Sequence, residues 1–595
     1  MTAAQISVWA PRATEVALAL GADGATVEPM TVAGDGWWTW SGEPTASGPH
    51  LDYAFVLDGS QPALPDPRSA WQPHGVHGPS RFFAAEDFAW SDAGWRGTRS
   101  GAGILGGIIY ELHIGTFTAD GTLDAAIAHL DHLADLGVDL VQVLPVAAFP
   151  GRWGWGYDGV ALYAVHDGYG GPAALQRFVD AAHARGMGVC LDVVYNHLGP
   201  SGNYLSRFGP YFTDRHHTPW GEAVNLDDDG SAVVREFIIG SALRWFRDFH
   251  IDALRLDAVH ELKDDSRPGL LAELSQAVAV LSAELGRPLD LIAESDLNDI
   301  AMVSPVSAGG SGMTAQWDDD IHHALHASLT GENQGYYSDF AGSPAAEPSA
   351  LAVLAKVFTH GFLHDGGYSS FRGTDWGKPV PRTGFDARRL LAYLQTHDQV
   401  GNRALGERIT ALLPAGRQAI GAALYLLGPF TPMIFAGEEW ASTSPWLFFT
   451  AFDDEDLAES VRQGRRAEFA GHGWAAEDIP DPQDPATREA SVLRWAEGSE
   501  PAGRAMQQWY RTLIALRHKH FDGPSALADI AFDVDASGVV RMQHGPLLVL
   551  ANLGEEVAVT PLPRGTLHTH GSVSAEGGDL RLAPNAVAVS VERRP

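Results

Sequence analysis

Short apolar runs and longer amphipathic stretches alternate through the middle of the 595-residue chain. The apolar run Ile108–Ile114 is followed by leucine and isoleucine at helical spacing from Leu123 to Leu136, and Gly137 ends that helix. Such alternation predicts parallel strands joined by crossover helices. Eight segments are candidate strands: 108–114, 138–144, 188–194, 252–257, 289–294, 314–317, 390–396 and 431–436. Eight such units close into a (β/α)8 TIM barrel, the predicted central fold.

The two ends of the chain carry a different pattern, of short alternating runs separated by Gly, Pro and Asp turns. Ile6–Trp9 and Tyr53–Leu57 are such runs near the start, and similar runs return after residue 521. We therefore predict a multidomain protein with three parts: an N-terminal β-sandwich module at 1–90, the barrel with long loops at 91–515, and a C-terminal antiparallel β domain at 516–595. The longest barrel loops are expected at 195–229 and 331–388.

Composition narrows the partners and the compartment. The net charge of −34 argues against nucleic acid and anionic membranes as partners. With Cys190 as the single cysteine, neither a disulfide framework nor a thiolate metal site can form within the chain. The start shows no basic region followed by an apolar run, and Gly428, Pro429 and Pro432 interrupt the uncharged stretch 419–437. These features predict a soluble, cytoplasmic protein with a core helix and a buried strand at 419–437.

Three acidic residues stand at the ends of predicted barrel strands: Asp257, Glu294 and Asp398. In a barrel of this type the carboxyl ends of the strands converge on one face, where functional sites lie. Arg255 and Asp257 are two residues apart on one strand, so their side chains point the same way and the guanidinium favours the ionised carboxylate. Taken alone, this pair could equally be a structural ion pair; the set of three carboxylates favours catalysis.

Three neighbouring carboxylates cannot all stay ionised without a large cost, so one pKa must rise. Arg255 protects the charge of Asp257, which leaves Glu294 as the protonated acid. A protonated acid and a carboxylate nucleophile about 5–5.5 Å apart are the groups that retaining glycoside cleavage requires. Asp398 could then bind sugar hydroxyls and stabilise the oxocarbenium-like charge.

Four stretches in this order resemble the four motifs of the α-amylase superfamily of glycoside hydrolases: 192–197, 254–257, 293–294 and 397–398. The resemblance implies that Asp257 is the nucleophile, Glu294 the general acid/base and Asp398 the transition-state stabiliser. It also implies a platform under the reacting sugar and further substrate contacts, which fall on Tyr157, His197, Arg255 and His397. The N-terminal module resembles the carbohydrate-binding-like modules that precede barrels acting on branched or terminally modified α-glucans.

Further segments resemble those members of the superfamily that cleave the α-1,4 bond next to a terminal α,α-trehalose unit: 260–261, 293–299, 399–403, 437–440 and 480–487. This finer resemblance implies a maltooligosyltrehalose substrate and a separate trehalose-forming isomerase that acts on the same glucan. The trehalose would contact side chains on long loops near the nucleophile, with Trp220, His260, Glu261, Asp296 and Asn298 as candidates. Packing within the loops is the alternative role of these residues.

Other polar clusters are assigned to structure. Asp318–Asp320 with His322 and His323 resembles a metal cluster, but we expect it to cap a helix and line the sugar groove, with no metal bound. Helix capping is the default interpretation of Glu438 and Glu439. No glycine-rich phosphate loop follows a strand, so no cofactor is expected. Two other functions stay open: a glycogen branching enzyme or related transglycosidase, and a non-catalytic glucan-binding protein.

Overall fold

A closed barrel of eight parallel strands forms the centre of the computed structural model, which describes residues 5–44, 50–343, 346–470, 475 and 478–592. In chain order the barrel strands are β1 Ile109–Leu112, β2 Leu140–Val143, β3 Gly188–Val193, β4 Ala253–Leu256, β5 Asp290–Ala293, β6 Ala315–Trp317, β7 Leu390–Tyr393 and β8 Thr431–Phe435. Each strand pairs with the next, and β8 pairs with β1. The eight predicted strands and the TIM barrel are confirmed.

The pairing register brings two of the predicted catalytic residues together. Leu256 at the end of β4 pairs with Ala293 at the end of β5. The next residue on each strand, Asp257 and Glu294, therefore leaves the barrel beside the other. Below this rim, one apolar residue from each strand joins a buried cluster inside the barrel: Ile109, Leu140, Cys190, Ala253, Ile292, Ala315, Leu391 and Met433. This apolar cluster fills the barrel and leaves polar chemistry to its ends.

The longer α-helices that follow the strands are Leu123–Ile127, Leu130–Leu136, Gly171–His183, Ser231–Asp248, Leu270–Leu285, Asp319–Thr330, Ala350–His360, Ala415–Leu427, Glu455–Ala470 and Pro501–His520. Shorter ones are Thr98–Gly101, Ile114–Phe117, Leu205–Phe208, His397–Gly401, Ile409–Leu412 and Pro485–Ala490. The predicted helix from Leu123 is divided in two, and its second part ends at Gly137 as expected, with a left-handed φ of 96°.

One crossover departs from the predicted strand–helix alternation. The described segment between β5 and β6 contains no α-helix, only the 3-10 turns Ile300–Met302 and Val306–Ala308. Pro305 and the three glycines between 309 and 312 disfavour a longer helix there, because proline lacks an amide donor and glycine is costly to order. The connection is therefore a compact loop directly behind the rim at Glu294.

The N-terminal region forms two small antiparallel sheets. One has the order Ser7–Trp9, Trp37–Thr39, Thr31–Gly34, and the other the order Thr26–Pro29, Val16–Leu20, Asp52–Leu57, Ser80–Arg81. The C-terminal region also forms two antiparallel sheets. The first has five strands in the order Ile530–Val534, Val539–His544, Leu547–Asn552, Val587–Val591, Thr566–His570. The second has three strands in the order Ala558–Pro561, Asp579–Leu582, Val573–Glu576. These positions match the predicted flanking regions; the exact domain boundaries stay a prediction.

The two long connections are present and carry secondary structure of their own. The first, after β3, contains the hairpin Phe212–Thr218 and Gly221–Val224. The second, between β6 and β7, contains the strand pairs Gly342–Ser343 with Ala346–Ser349 and Tyr368–Ser369 with Thr374–Asp375. Both connections rise from the end of the barrel that carries the predicted catalytic residues.

The uncharged stretch 419–437 is confirmed as a core helix, Ala415–Leu427, followed by the buried strand β8. Within the described residues, no helix has the length and hydropathy to cross a bilayer.

The capping role expected for Glu438 and Glu439 is wrong. Both side chains are buried: Glu438 accepts hydrogen bonds from tyrosine hydroxyls of Tyr425 and Tyr510, at 2.6 and 2.8 Å, and Glu439 binds Tyr110 and His132.

Candidate active site

Three carboxylates lie at the carboxyl ends of the strands. Asp257 directly follows β4, Glu294 directly follows β5, and Asp398 is the second residue of the helix that begins after β7 at His397. The exposed side-chain fractions are 12%, 22% and 39% respectively, so all three can be reached from the rim, and Asp257 and Glu294 are largely desolvated. The triad that the sequence predicts is therefore brought to one end of the barrel.

Arg255 joins two of these carboxylates. Its Nη1 donates to Asp257 Oδ1 at 2.7 Å, as strand alternation predicts, and its Nη2 lies 2.9 Å from Glu294 Oε2 without hydrogen-bond alignment. The same Nη1 donates to Asp192 Oδ1 at 2.9 Å. The guanidinium is 1% exposed and lies over the Trp317 ring, 4.4 Å from its centroid. One fully buried cation thus organises three acidic groups.

The pKa values of Asp257 and Glu294 move in opposite directions. Burial alone would raise the pKa of Asp257, but Arg255 and the Asn196 amide hold it below its usual range. Burial, reinforced by the charges of Asp257 and Asp398, raises the pKa of Glu294 well above that of an ordinary glutamate. An ionised aspartate beside a protonated glutamate is the division of roles predicted from the sequence. Such a pair has the protonation states that a nucleophile and a general acid require, and both groups contact one arginine.

The backbone next to Asp257 holds Glu294 in place. Ala258 has a φ of +37°, a left-handed conformation that is unfavourable for a residue with a Cβ. In this conformation its amide donates to Glu294 Oε2 at 2.7 Å. Asn196 Nδ2 donates to the carbonyl of Asp257 at 2.7 Å and to its Oδ2 at 2.9 Å. The strained turn after β4 therefore orients Glu294, and Asn196 orients Asp257.

A hydrogen-bonded chain supports the opposite side of the site. His397 Nδ1 lies 2.9 Å from Glu111 Oε1, and its Nε2 lies 2.7 Å from the Tyr157 hydroxyl. That hydroxyl donates to Asp192 Oδ2 at 2.9 Å. Although burial would lower it, the charges of Asp398 and Glu111 raise the pKa of His397 to about 9, so this imidazole is charged at neutral pH. Burial raises the pKa of Asp192 to about 7.

Sequence reasoning identified Tyr157, His197, Arg255 and His397 but missed three of their partners, Glu111, Asp192 and Asn196. A usable signal existed for Glu111, because it is an acidic residue inside the apolar run 108–114 and is completely buried. Asp192 and Asn196 lie within a segment already recognised as a motif. They belong to the same polar network as the predicted residues.

A cleft of about 510 Å³ opens onto Asp257 and Asp398. Tyr157, His197 and Trp220 line it. The Trp220 ring stacks on the His197 ring at 4.1 Å between centroids and 5° between planes, and its side chain is half exposed at the tip of the hairpin after β3. Trp220 is thus an exposed aromatic face beside the nucleophile.

The other trehalose-side candidates lie outside the lining of that cleft, on the turns after β4 and β5. His260 and Glu261 belong to the 3-10 turn Val259–Glu261, and His260 Nδ1 accepts from the Asp296 amide at 3.4 Å. Glu261 Oε2 is buried and has no hydrogen-bond partner among the described residues. The Asp296 carboxylate is paired with both ends of the Arg372 guanidinium. The structure therefore separates Trp220 from His260, Glu261 and Asp296, which lie together.

The acidic run at 318–320 has structural partners. Asp318 caps the helix Asp319–Thr330 through the Ile321 amide at 3.3 Å, so the predicted capping role is confirmed. Asp320 Oδ2 accepts from Asn298 and from two backbone amides. Among the described residues, a metal-compatible spacing occurs at His216, Asp227 and Asp265. There Arg215 lies 3.9 and 3.3 Å from the two carboxylates and already supplies positive charge.

An eight-stranded barrel with these carboxylates on its rim has the architecture of α-amylase-type enzymes, and a family model described as Alpha amylase, catalytic domain matches residues 85–220. A malto-oligosyltrehalose trehalohydrolase from Arthrobacter ramosus is 50% identical over 98% of this chain and 99% of that protein. Another from Rhizobium sp. (strain M-11) is 46% identical over 99% and 97%. The chain belongs to the malto-oligosyltrehalose trehalohydrolase family, as its motifs predicted.

Solved structures agree with this fold. One from Salmonella typhimurium, described as an alpha amylase, superposes with a TM-score of 0.88 at 36% identity and covers 100% of this chain and 99% of that one. A 1,4-alpha-glucan branching enzyme from Corynebacterium jeikeium is 27% identical over 76% of this chain and 63% of that protein. The family of the predicted alternative is thus a more distant relative than the trehalohydrolases.

Proposed function

We propose that this protein is a retaining glycoside hydrolase that cleaves the α-1,4 bond next to the terminal α,α-trehalose of maltooligosyltrehalose and releases trehalose. The observation that carries the chemistry is the pair Asp257 and Glu294, which share Arg255 and have opposite pKa shifts. Membership of the trehalohydrolase family supports the choice of substrate. An α-glucan is therefore the expected partner of the site.

In the first step Asp257 attacks the anomeric carbon of the glucose on the nonreducing side of the bond. Glu294 gives its proton to the glycosidic oxygen, so the C–O bond breaks and trehalose leaves neutral. Asp398 accepts hydroxyl hydrogen bonds from the same glucose and stabilises its developing positive charge. The ion pair of Asp257 with Arg255 keeps the nucleophile ionised while it is largely buried.

In the second step water replaces trehalose. Glu294, now ionised, takes a proton from the water as its oxygen attacks the anomeric carbon and displaces Asp257. The products are a shorter maltooligosaccharide and the enzyme in its starting protonation state. Tyr157, held by Asp192 and His397, provides a fixed aromatic face under the reacting glucose.

The trehalose unit would bind on the side of Glu294, because the general acid must contact the leaving oxygen. His260, Glu261 and Asp296 lie on that side, in the turns after β4 and β5. The unpartnered Glu261 Oε2 is a candidate acceptor for a trehalose hydroxyl. Asp296 would act partly through Arg372, because its carboxylate and its backbone carbonyl hold the hairpin that carries Arg372.

The trehalose end has to be made elsewhere, because hydrolysis forms no bond between two anomeric carbons. A separate isomerase acting on the same glucan would supply the substrate. Such a supply places both enzymes in one compartment, and we propose the cytoplasm.

Purified protein offered maltopentaose and maltotriosyltrehalose tests this function. We expect trehalose only from the second substrate, together with maltotriose whose new reducing end keeps the α configuration, and neither product from Asp257→Asn. Formation of α-1,6 branches from linear glucan would instead support a branching enzyme. Equal hydrolysis of both substrates would contradict selectivity for the trehalose end.

A further inference from the structure

The cleft at Asp257 extends away from Glu294. Its lining comes from the loops that follow β2, β3, β7 and β8, including Trp155, Asp158, Asn402 and Phe448. Neither Glu294 nor any residue of the loop after β5 contributes to it. Since the general acid marks the leaving-group side, this cleft receives the other side of the substrate, the maltooligosaccharide. Trp220 lines the same cleft and therefore lies on this side, whereas the sequence analysis expected it to contact trehalose.

Asp158 is a carboxylate on that cleft to which the mechanism above assigns no role. Its side chain is partly buried and makes no hydrogen bond or ion pair with the described residues. Burial alone raises the pKa of Asp158 to about 6, with no contribution from the charges of Asp257, Asp398 or Arg255. By contrast, all three of these charges act on the adjacent Tyr157. The Asp158 carboxylate is therefore set apart from the reacting centre, and at neutral pH it is an ionised acceptor without a donor.

The cleft next to Asp158 also carries aromatic side chains held in fixed positions. Trp155 stacks on Trp446 at 5.0 Å, and its indole donates to the Leu447 carbonyl at 2.9 Å. Phe448 meets the Trp155 ring edge-on at 5.3 Å. Rigid aromatic faces beside a free acceptor suit a glucose ring, which has apolar faces and hydroxyl donors at its edge.

The outer wall is the helix Glu455–Ala470, which is attached to the loop after β7. Arg465 Nη2 donates to the Gly401 carbonyl at 2.6 Å, and its guanidinium lies 5.5 Å from the Phe448 ring centroid. This attachment joins the outer wall to the segment that carries Asn402. A pre-formed site of this kind lowers the cost of ordering the bound chain.

We propose that Asp158 is a further substrate-binding residue, which accepts hydroxyl hydrogen bonds from the glucose unit next to the reacting one, toward the nonreducing end. This inference rests on the proposed function and deepens it, because it names the residue that makes a longer glucan a better substrate. The reacting glucose itself is bound by Asp398 and Tyr157 and does not need Asp158.

The test compares wild type with Asp158→Asn on glucosyltrehalose, maltosyltrehalose and maltotriosyltrehalose, measuring kcat and KM separately. We expect the variant to hydrolyse glucosyltrehalose normally but to lose about 10- to 100-fold in kcat/KM on the two longer substrates, the effect of one charge-assisted hydrogen bond. Asp135→Asn, an exposed carboxylate on the helix Leu130–Leu136, is the matched control and should stay within about 2-fold of wild type.

Two outcomes overturn the proposal: unchanged kcat/KM on all three substrates, or an equal loss on all three, which would place Asp158 at the reacting glucose. If Asp158→Asn does not fold, Asp158→Ser, which removes the carboxylate without adding bulk, must show the loss only on the longer substrates. Failure of wild type to release trehalose would reject the proposed function instead, so the two failures are distinct.

Discussion

The strand β4 connects two acidic residues in contrasting surroundings. Asp252 lies at its start, on the floor of the barrel, and Asp257 at its end, on the rim. Asp252 accepts from His183, Arg287, the Trp95 indole and the backbone amide of residue 189, at 2.8 to 2.9 Å. Each of the two carboxylate oxygens accepts two of these hydrogen bonds, and the side chain is 2% exposed.

The rim is arranged differently. Asp257, Glu294 and Asp192 share one arginine, and Arg255 Nε has no hydrogen-bond partner among the described residues. Ala258 keeps a left-handed backbone. The floor thus satisfies its charges and stabilises the fold, whereas the rim crowds like charges and stores strain that a substrate can relieve. Groups on the floor should govern stability, and groups on the rim should govern turnover.

The largest expected effect is on the rim. Asp257→Asn removes the nucleophile, and we expect kcat to fall by roughly four orders of magnitude or more. Because Arg255 keeps its contacts with Asp192 and Glu294, the fall in the melting temperature should be smaller than that for a substitution on the floor. Activity assays and thermal unfolding of the same preparation check both parts. Near-normal turnover would remove Asp257 from the nucleophile role.

The mirror experiment on the floor is Asp252→Asn. It leaves Arg287 without its buried counter-charge and His183 with Asp92 as its remaining one, so we expect a loss of about 3–5 kcal/mol in the free energy of unfolding. The fraction of this variant that remains folded should keep the kcat of the wild type. Denaturant unfolding and kinetics at low temperature measure the two quantities. A variant with intact stability would show that the division between floor and rim is false.

The pH dependence of the rim has a stated direction. Asp398 and Glu111 raise the pKa of His397 to about 9, so its proton is present below that pH and is lost above it. The contribution of this proton to the free energy of unfolding is complete below the ordinary histidine pKa and disappears as pH rises through about 9. We expect kcat/KM to fall on the same alkaline side, and the raised pKa of Glu294 moves the loss of its acid proton toward higher pH as well. Glu111→Gln should move the alkaline fall of kcat/KM to lower pH. If the pH dependence of kcat/KM does not change, His397 is not the group that causes this fall.

The smallest effect concerns the strained turn. Ala258→Gly removes the Cβ that makes a φ of +37° costly, so the free energy of unfolding should rise by about 1 kcal/mol at most. The freer backbone should orient Glu294 less well and lower kcat a few-fold. A calorimetric scan measures the change in stability, and steady-state kinetics measure the change in kcat. If stability and kcat both rise, the strain has no role in catalysis.

Much of this molecule follows from local sequence. The eight strands are visible as apolar runs, and the neighbouring positions of Arg255 and Asp257 follow from the two-residue repeat of a strand. The convergence of Asp257, Glu294 and Asp398 follows from parallel strands in one barrel. Each of these conclusions needs only backbone periodicity and one general rule of the fold.

Tertiary structure alone decided the contacts between distant segments. His397 meets Glu111 across 286 positions, Asp296 meets Arg372 across 76, and Glu438 meets Tyr510 across 72. No local pattern encodes such pairs, because a side chain's partner depends on how loops of irregular shape return to the barrel. The pKa values of the rim depend on the same contacts, since desolvation and charge–charge distance exist only in the folded chain. The sequence determined which residues are the candidates for the chemistry, and the fold determined how each is charged and held.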